Sequence, residues 1–404
     1  MSFNVLVVNC GSSSIKYQVF DMTDERVLAQ GLVDRVGILG TVLTHKRNNG
    51  TDDVVIVKDL PDHTVGMKLV LETLIHAEYG VIKDLSEINA VGHRVVHGAD
   101  YFSRSVLITD EVKQAIRDCF NIAPLHNPPN LMGIEACQAL MPNVPHVAVF
   151  DTAFHQTMKP ANYMYALPYE VYEKYKIRRY GFHGTSHYYV TQRAAAMLNK
   201  PLKDTKIITL HLGNGASAAA VNGGSVVDTS MGYTPLEGLV MGTRCGNIDP
   251  YIVIFLMEKL NMGSTEINSY LNNKTGALGL SGVSNDFRDI SEAAEGGNPR
   301  AQLTLQVYVN RVKGYIGTYI AALNGCDCIV FTAGLGENAV NIREMICENM
   351  DYLGIKIDKD KNKVRGREVD VAADDSKVRI FVIPTNEELV IARDTYDIAN
   401  VNPV

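Results

Sequence analysis

The strongest constraint on the fold is a repeat. Val5-Leu6-Val7-Val8 runs into Asn9-Cys10-Gly11-Ser12-Ser13-Ser14 and then into the alternating Ile15-Lys16-Tyr17-Gln18-Val19. Some 200 residues later, Ile207-Ile208-Thr209-Leu210 runs into Gly213-Asn214-Gly215-Ala216-Ser217, then Val221, a turn at Asn222-Gly223-Gly224, and Ser225-Val226-Val227. Apolar runs and period-two alternation around small-residue turns read as strand, turn, strand. Two copies predict two related domains, each opening on a β-meander. Short apolar runs alternate with helical stretches elsewhere, so the class is α/β. The 404 residues give ample length for two such cores.

Composition narrows the function. Hydrophobic residues at 46% and charged residues at 21% exclude a disordered or fibrous chain. The 38 Lys and Arg against 45 Asp and Glu leave a net charge of -7, which argues against non-specific nucleic-acid or membrane-surface binding. An anionic small substrate stays open, because local arginines decide that. No apolar run approaches the roughly 18 residues of a membrane span. The start, Met1-Ser2-Phe3-Asn4, lacks the basic segment and apolar length of a signal peptide. Seven scattered cysteines do not form a disulfide framework. A cytoplasmic protein with reduced thiols is expected.

The two turns suit phosphate, since glycine lets backbone N–H groups approach an anion closely and serine adds donors. Two ordinary hairpins are the plainer alternative. No Gly-Lys dipeptide occurs, so there is no P-loop. Gly213-x-Gly215-x-x-Ala218 and Gly334-x-Gly336-x-x-Ala339 satisfy a loose dinucleotide pattern. The first is followed by strand-like residues. The second lies between a strand, Cys328 to Thr332, and a helix predicted from Asn338, where it could contact a nucleotide.

Further polar groups stand at strand ends and in glycine-rich loops. Arg94 interrupts the apolar Val91-to-Gly98 run, as an ion-pair partner or an anion hook. His93 and His97 lack the glutamate of a zinc-protease motif and read as structural. Asp151 closes Val147-Ala148-Val149-Phe150, either as a turn or cap residue or as a site residue at a strand's carboxyl end. Gly181-Phe182-His183-Gly184-Thr185-Ser186-His187 is a loop leading into a helix. Arg244 stands between glycines in Met241 to Asn247. Arg288 has Asp286 and Asp289 beside it, and these can simply pair. After a strand at Val378 to Ile383, Thr385-x-x-Glu388 fits a capping box, which leaves Glu387 free. Arginines, imidazoles, small-residue turns and separated carboxylates are the parts of phosphoryl transfer by positioning and charge neutralisation.

These residues carry a family resemblance over essentially the whole chain. Val8 to Lys16 resembles the first signature of the acetate kinase family, and Met231 to Arg244, with Thr234-Pro235-Leu236-Glu237-Gly238 inside it, resembles the second. His97-Gly98, Pro124 to Pro129, Phe150 to His155, Gly181 to His187 and Phe331 to Asn338 are also similar to the family. Cys10 stands where alanine is more usual, and both are small.

The resemblance implies the fold shared by sugar kinases, the 70-kDa heat-shock ATPase domain and actin, of ribonuclease H-like type. Two related domains would flank a nucleotide cleft: 1–152 with a returning helix at 385–404, and 153–384 for nucleotide binding and dimerisation. It implies a homodimer acting on acetate or acetyl phosphate and ATP or ADP. Mg²⁺ would be held by Asn9 and Glu387, with Mn²⁺ able to substitute. Arg94 and Arg244 would hold the substrate carboxylate and the phosphoryl group in flight, His183 would donate to that group, and Asp151 would be the central acid. Val96, Leu125, Phe182 and Pro235 would form the methyl pocket. Ser12, Ser14, Lys16, the run His211-Leu212-Gly213-Asn214-Gly215, Asp286-Phe287-Arg288 and Gly334-Leu335-Gly336-Glu337-Asn338 would contact the nucleotide. The implied reaction is reversible in-line transfer from ATP to acetate. A carboxylate is already ionised near neutral pH, so cancelling anion repulsion matters more than a base. The rivals are a propionate kinase, an ATP-driven chaperone or filament protein of the same superfold, and a dehydrogenase.

Overall fold

The computed structural model describes residues 2–48 and 52–401. The chain forms two compact units, Met1–Ala153 with Asn386–Val404, and Phe154–Thr385.

The first unit holds an eight-stranded sheet. Its strands are β1 (Asn4–Cys10), β2 (Ser14–Asp21), β3 (Arg26–Asp34), β4 (Val42–Arg47), β5 (Val54–Val57), β6 (Ile88–Val95), β7 (Val106–Leu107) and β8 (His146–Phe150). They lie in the order β5-β4-β3-β2-β1-β6-β8-β7. The meander β1-β2-β3 is antiparallel, while β6 runs parallel to β1 and β8 parallel to β6. One face, with Leu6, Val8, Ile15 and Val19, packs against helices His63–Leu74 and Asn127–Leu140. The other receives helix Glu387–Val401 over β1, β6 and β8. That helix lies so close that a Cβ on Gly92 would come 2.3 Å from Thr395 Oγ1, which only glycine avoids.

The second unit holds β9 (Lys206–Leu212), β10 (Ala216–Asn222), β11 (Ser225–Thr229), β12 (Cys328–Thr332), β13 (Val369–Asp370) and β14 (Arg379–Val382), in the order β11-β10-β9-β12-β14-β13. Again the meander is antiparallel, with β12 parallel to β9 and β14 parallel to β12. Helices Gly184–Met197 and Pro299–Leu323 pack on this sheet. Each unit therefore carries the same five-strand core, an antiparallel meander continued by two parallel strands. That repeated core is what the duplicated strand–turn–strand pattern foretold, and the α/β class holds.

One helix boundary differs from expectation. The helix predicted from Asn338 is preceded by a shorter one, Ala333–Asn338, and then continues as Val340–Cys347. Gly334 and Gly336 argue against helix in sequence. Packing overrides them, because Gly336 lies against the backbone of Phe331 and the carbonyl of Leu210, where a side chain would not fit easily.

Candidate functional site

In the first unit, parallel pairing sets Arg94 on β6 opposite Val149 on β8, two residues before Asp151. The Arg94 guanidinium donates from Nε to Asp151 Oδ1 at 3.0 Å and from Nη2 to Oδ2 at 2.6 Å. Asp151 is 1% exposed while Arg94 keeps 22% of its side chain open. Burial opposes the charge on Arg94, but Asp151, with Glu387 and Glu388 behind it, holds its pKa above the ordinary arginine value. The ion-pair reading of Arg94 is the one the structure shows. Two of its five donors serve Asp151, and the anion-hook reading rests on the Nη donors that remain.

The β1–β2 turn is anchored by Gly11 N–H donating to Ser14 O at 2.8 Å, and by His63 Nε2 bonded to Gly11 O at 2.7 Å. Ser12 at its tip is exposed and Ser14 half-buried. Cys10 is buried, and burial pushes its thiol up to about 12, so it stays protonated. Cross-strand register then builds two rows, Asn9–Lys16–Leu32–Thr44 and Val7–Gln18–Gln30–Lys46. These eight residues and Glu388 line a cavity of about 380 Å³. Val96 is buried, its N–H donating to Asn130 Oδ1 at 3.0 Å, while Leu125 is exposed.

The capping-box reading of Thr385 and Glu388 is overturned. Asn386 Oδ1 accepts the Leu389 N–H at 3.1 Å, so Asn386 caps helix Glu387–Val401. A cap must stand one residue before the first helical residue, and the Thr385 N–H goes instead to Glu337 Oε1 at 3.2 Å. Glu388 is thereby released to the cavity wall. Its neighbour Glu387 is half-buried. Burial raises the Glu387 pKa to about 7. Arg94 and Lys16 pull it down, while Asp151 and Glu388 add to the rise.

No group of three or more His, Cys, Asp or Glu side chains among the described residues is arranged to hold a metal. Asn9 and Glu387 offer only two ligating groups, one amide oxygen and one carboxylate. That matches Mg²⁺, which takes one or two protein oxygens and completes its shell with phosphates and water. A carboxyl with a pKa raised to about 7 also gains from a nearby cation.

In the second unit, His183 sits at the N-terminus of helix Gly184–Met197 with φ of 57°, a left-handed conformation costing an L-residue about 1–2 kcal/mol. Its Nδ1 is bonded to Ser217 Oγ at 2.8 Å, and its ring stacks on His211 with centroids 4.1 Å apart. A Cβ on Gly215 would lie 3.6 Å from His183 Nε2 and 3.7 Å from Arg244 Nη1, so both cationic or polar tips converge beside this glycine. Arg244 Nη1 donates to Pro235 O at 3.4 Å. Burial alone lowers the Arg244 pKa, and among the described residues no carboxylate pairs with it. Phe182 is buried, its carbonyl bonded to His155 Nε2 at 2.9 Å.

Three predicted nucleotide segments meet at the carboxyl ends of β9 and β12, where parallel strands commonly carry sites. Gly213 and Asn214 follow His211 and Leu212. A Cβ on Gly213 would lie 3.7 Å from Ala333 Cβ, and Asn285 Nδ2 donates to Asn214 Oδ1 at 3.4 Å. Gly334 is exposed, and a Cβ placed on it would meet no atom within 4 Å, so a ligand can approach its backbone. Leu335 is half-buried beside it, and Asn338 Nδ2 donates to Gly334 O at 2.9 Å. Burial raises the Glu337 pKa, and its carboxylate serves Thr385. Asp286 and Arg288 do pair with each other, and Asp286 caps helix Phe287–Glu295. Phe287 turns inward against Tyr308, with centroids 4.5 Å apart. Its side chain is thus committed to the core, leaving the backbone for any nucleotide contact.

Sequence reading missed Thr209, Ser217 and Asn130. The hydroxyls bond the histidines, and Asn130 ties Val96 N–H to Cys10 O, the latter at 2.7 Å. The available signal was buried polar residues among apolar ones, in strands for Thr209 and Ser217 and in helix Asn127–Leu140 for Asn130.

The acetokinase family model matches residues 4–393. The chain belongs to the acetokinase family. An acetate kinase of Syntrophomonas wolfei is 72% identical over 395 residues, covering 98% of this chain and 99% of that one. The acetate kinase structure of Porphyromonas gingivalis matches with a TM-score of 0.94 at 48% identity, covering 98% and 99% of the two chains. A propionate kinase structure from Francisella tularensis matches with a TM-score of 0.91 at 41% identity, covering 98% and 99%. For this acetokinase-family chain the actin- and hexokinase-like fold is thereby established, and with it a kinase activity. No helix among the described residues is long and apolar enough to cross a membrane.

Proposed function

We propose that this chain transfers the γ-phosphoryl group of ATP reversibly to acetate, giving acetyl phosphate and ADP. An acetate oxygen attacks phosphorus as the bond to the ADP oxygen breaks, so no proton need be removed from the nucleophile. The convergence of His183 and Arg244 beside Gly215 carries this reading. It sets an unpaired guanidinium and an imidazole where the phosphoryl charge of a transition state can be held.

Arg94, oriented by Asp151, supplies the second guanidinium, for the acetate carboxylate. The β9–β10 turn with residues 285–288 and 333–338 supports ATP. Asn9 and Glu387 would hold Mg²⁺, which neutralises phosphate charge when bound. Val96 and Leu125 of the first unit, and Phe182 and Pro235 of the second, are the apolar side chains we assign to the acetate methyl group. The cysteines, all free among the described residues, suit a cytoplasmic enzyme. The helix Pro250–Leu260 buries no residue of its own, although Tyr251, Ile252, Ile254 and Phe255 lie on it. Such a helix gains by pairing with a second copy, which supports a homodimer.

Trapping acyl phosphate as its hydroxamate with hydroxylamine tests the activity. Acetate, propionate and butyrate are each supplied with ATP and Mg²⁺. Acetate should give the highest kcat/KM. A propionate optimum would favour the second reading, which the Francisella tularensis propionate kinase likeness supports. Release of ADP with no hydroxamate from any acid would refute both.

A further inference from the structure

Behind His183 lies a chain of buried polar groups that the reaction does not itself use. His183 Nδ1 is bonded to Ser217 Oγ at 2.8 Å, Ser217 Oγ to His187 Nε2 at 2.7 Å, and His187 Nδ1 to Thr209 Oγ1 at 2.7 Å. Ser217, His187 and Thr209 are all 0% exposed. Three hydrogen bonds need three protons, each pointing one way. Burial, then the neighbouring His155 and His211, holds the His187 pKa well below its ordinary value. Its ring is therefore neutral, donating through one nitrogen and accepting through the other.

With His187 neutral, two one-way directions are possible; a third arrangement, in which both histidines donate to Ser217, leaves the buried Ser217 hydroxyl proton without an acceptor among the described residues. In the inward one, His183 Nδ1–H donates to Ser217, Ser217 to His187 Nε2, and His187 Nδ1–H to Thr209. Thr209 then accepts, and its own hydroxyl proton has no acceptor among the described residues, inside a strand closed to water. In the outward one, Thr209 donates to His187 Nδ1, His187 Nε2–H to Ser217, and Ser217 to His183 Nδ1. Every proton is used and no buried donor is orphaned. Leaving a buried donor unmade is the costlier choice.

We infer that Thr209, His187 and Ser217 form a one-directional relay that fixes neutral His183 as the tautomer carrying its proton on Nε2. That nitrogen is the one beside Gly215 and Arg244. The relay thus aims an N–H donor, rather than a lone pair, at the place where an anionic oxygen would sit. A lone pair there would repel the anion. Thr209, His187 and Ser217 are positioning residues, since they act through His183. In β9 and β10, Thr209 pairs with Ala219 and Ser217 with His211, so backbone register holds the relay in place.

The inference rests on the phosphoryl-transfer reading only for its consequence. The tautomer itself can be read without turnover. The protein is labelled with ¹⁵N-histidine, and ring nitrogen shifts are recorded at about pH 8, where an ordinary imidazole is neutral. The His183 signals are assigned by their loss in His183→Gln. A protonated Nε2 with an unprotonated Nδ1 is expected. A proton on Nδ1, in the other tautomer or in the cation, overturns the relay whatever the enzyme's substrate.

Thr209→Val then removes the first donor while keeping the side-chain shape, and Thr209→Ser restores it. The valine variant should show mixed His183 tautomers and a kcat lowered roughly tenfold, with KM for acetate within about twofold. The serine variant should match the wild type in both respects. A valine variant with the wild-type nitrogen pattern and kcat overturns the inference. So does a serine variant as impaired as valine, which would mean that Thr209 acts through packing.

Discussion

Glu387 gives the prediction most closely worked from the structure. Its carboxyl titrates near about 7 rather than at the ordinary 4.5, with burial as the main cause. The raised pKa means that the folded chain keeps this proton where the unfolded chain has lost it. Stability from this group is therefore full below 4.5 and is lost as pH rises through about 7. A metal needs the carboxylate, so proton and Mg²⁺ compete. Below the folded pKa the apparent Mg²⁺ affinity should weaken about tenfold per pH unit, and above it should level off. Between about pH 8 and about pH 6 the half-saturating Mg²⁺ concentration should rise roughly tenfold. The assay is initial rate against Mg²⁺ at several pH values, for the wild type, Glu387→Gln and Glu388→Gln. Titration of the nucleotide phosphates is common to all three. Glu387→Gln should need more Mg²⁺ and lose the extra pH dependence, with a melting temperature that no longer falls over this range. Glu388→Gln, which caps nothing, should keep the dependence. The same slope in the wild type and Glu387→Gln would refute the reasoning. A slope lost only in Glu388→Gln would move the metal to the cavity wall.

Other perturbations separate the remaining parts. Arg94→Ala and Arg244→Ala should each lower kcat about a hundredfold or more, since charge-assisted bonds made in the transition state are worth several kcal/mol. Circular dichroism would check that each variant stays folded, and near-normal rates in both would remove the arginines from the chemistry. Val96→Ala opens space at the buried end of β6. It should raise the propionate-to-acetate ratio of kcat/KM, by at most about 1–3 kcal/mol, and an unchanged ratio would place the methyl pocket elsewhere. Phe255→Glu puts a charge on an exposed apolar helix. Light scattering should show a wild-type dimer and a variant shifted to monomer, whereas a monomeric wild type would remove the dimer.

The duplicated meander is legible because strand alternation and small-residue turns are local signals. The Arg94–Asp151 pair is not. It depends on β6 and β8 lying side by side in parallel, and nothing within either segment encodes that register. The motif around His183 is visible, but its supports are not, because a threonine or serine in a strand looks like any other until burial demands a partner for it. Sequence alone puts the last helix cap one residue early because Thr385 and Asn386 are both good caps, and the tertiary bond from Thr385 to Glu337 decides between them. The family resemblance assigns Phe287 to the nucleotide, yet its ring completes a contact with Tyr308 on a different helix.

The central claim is that positioned charges transfer the phosphoryl group directly, with no covalent enzyme intermediate. The most direct measurement is stereochemical. ATP whose γ-phosphoryl group is made chiral with three oxygen isotopes is turned over with acetate, and the configuration of the acetyl phosphate product is determined. A single in-line displacement predicts inversion at phosphorus. Retention would mean two displacements through a phosphorylated side chain, and would contradict the account.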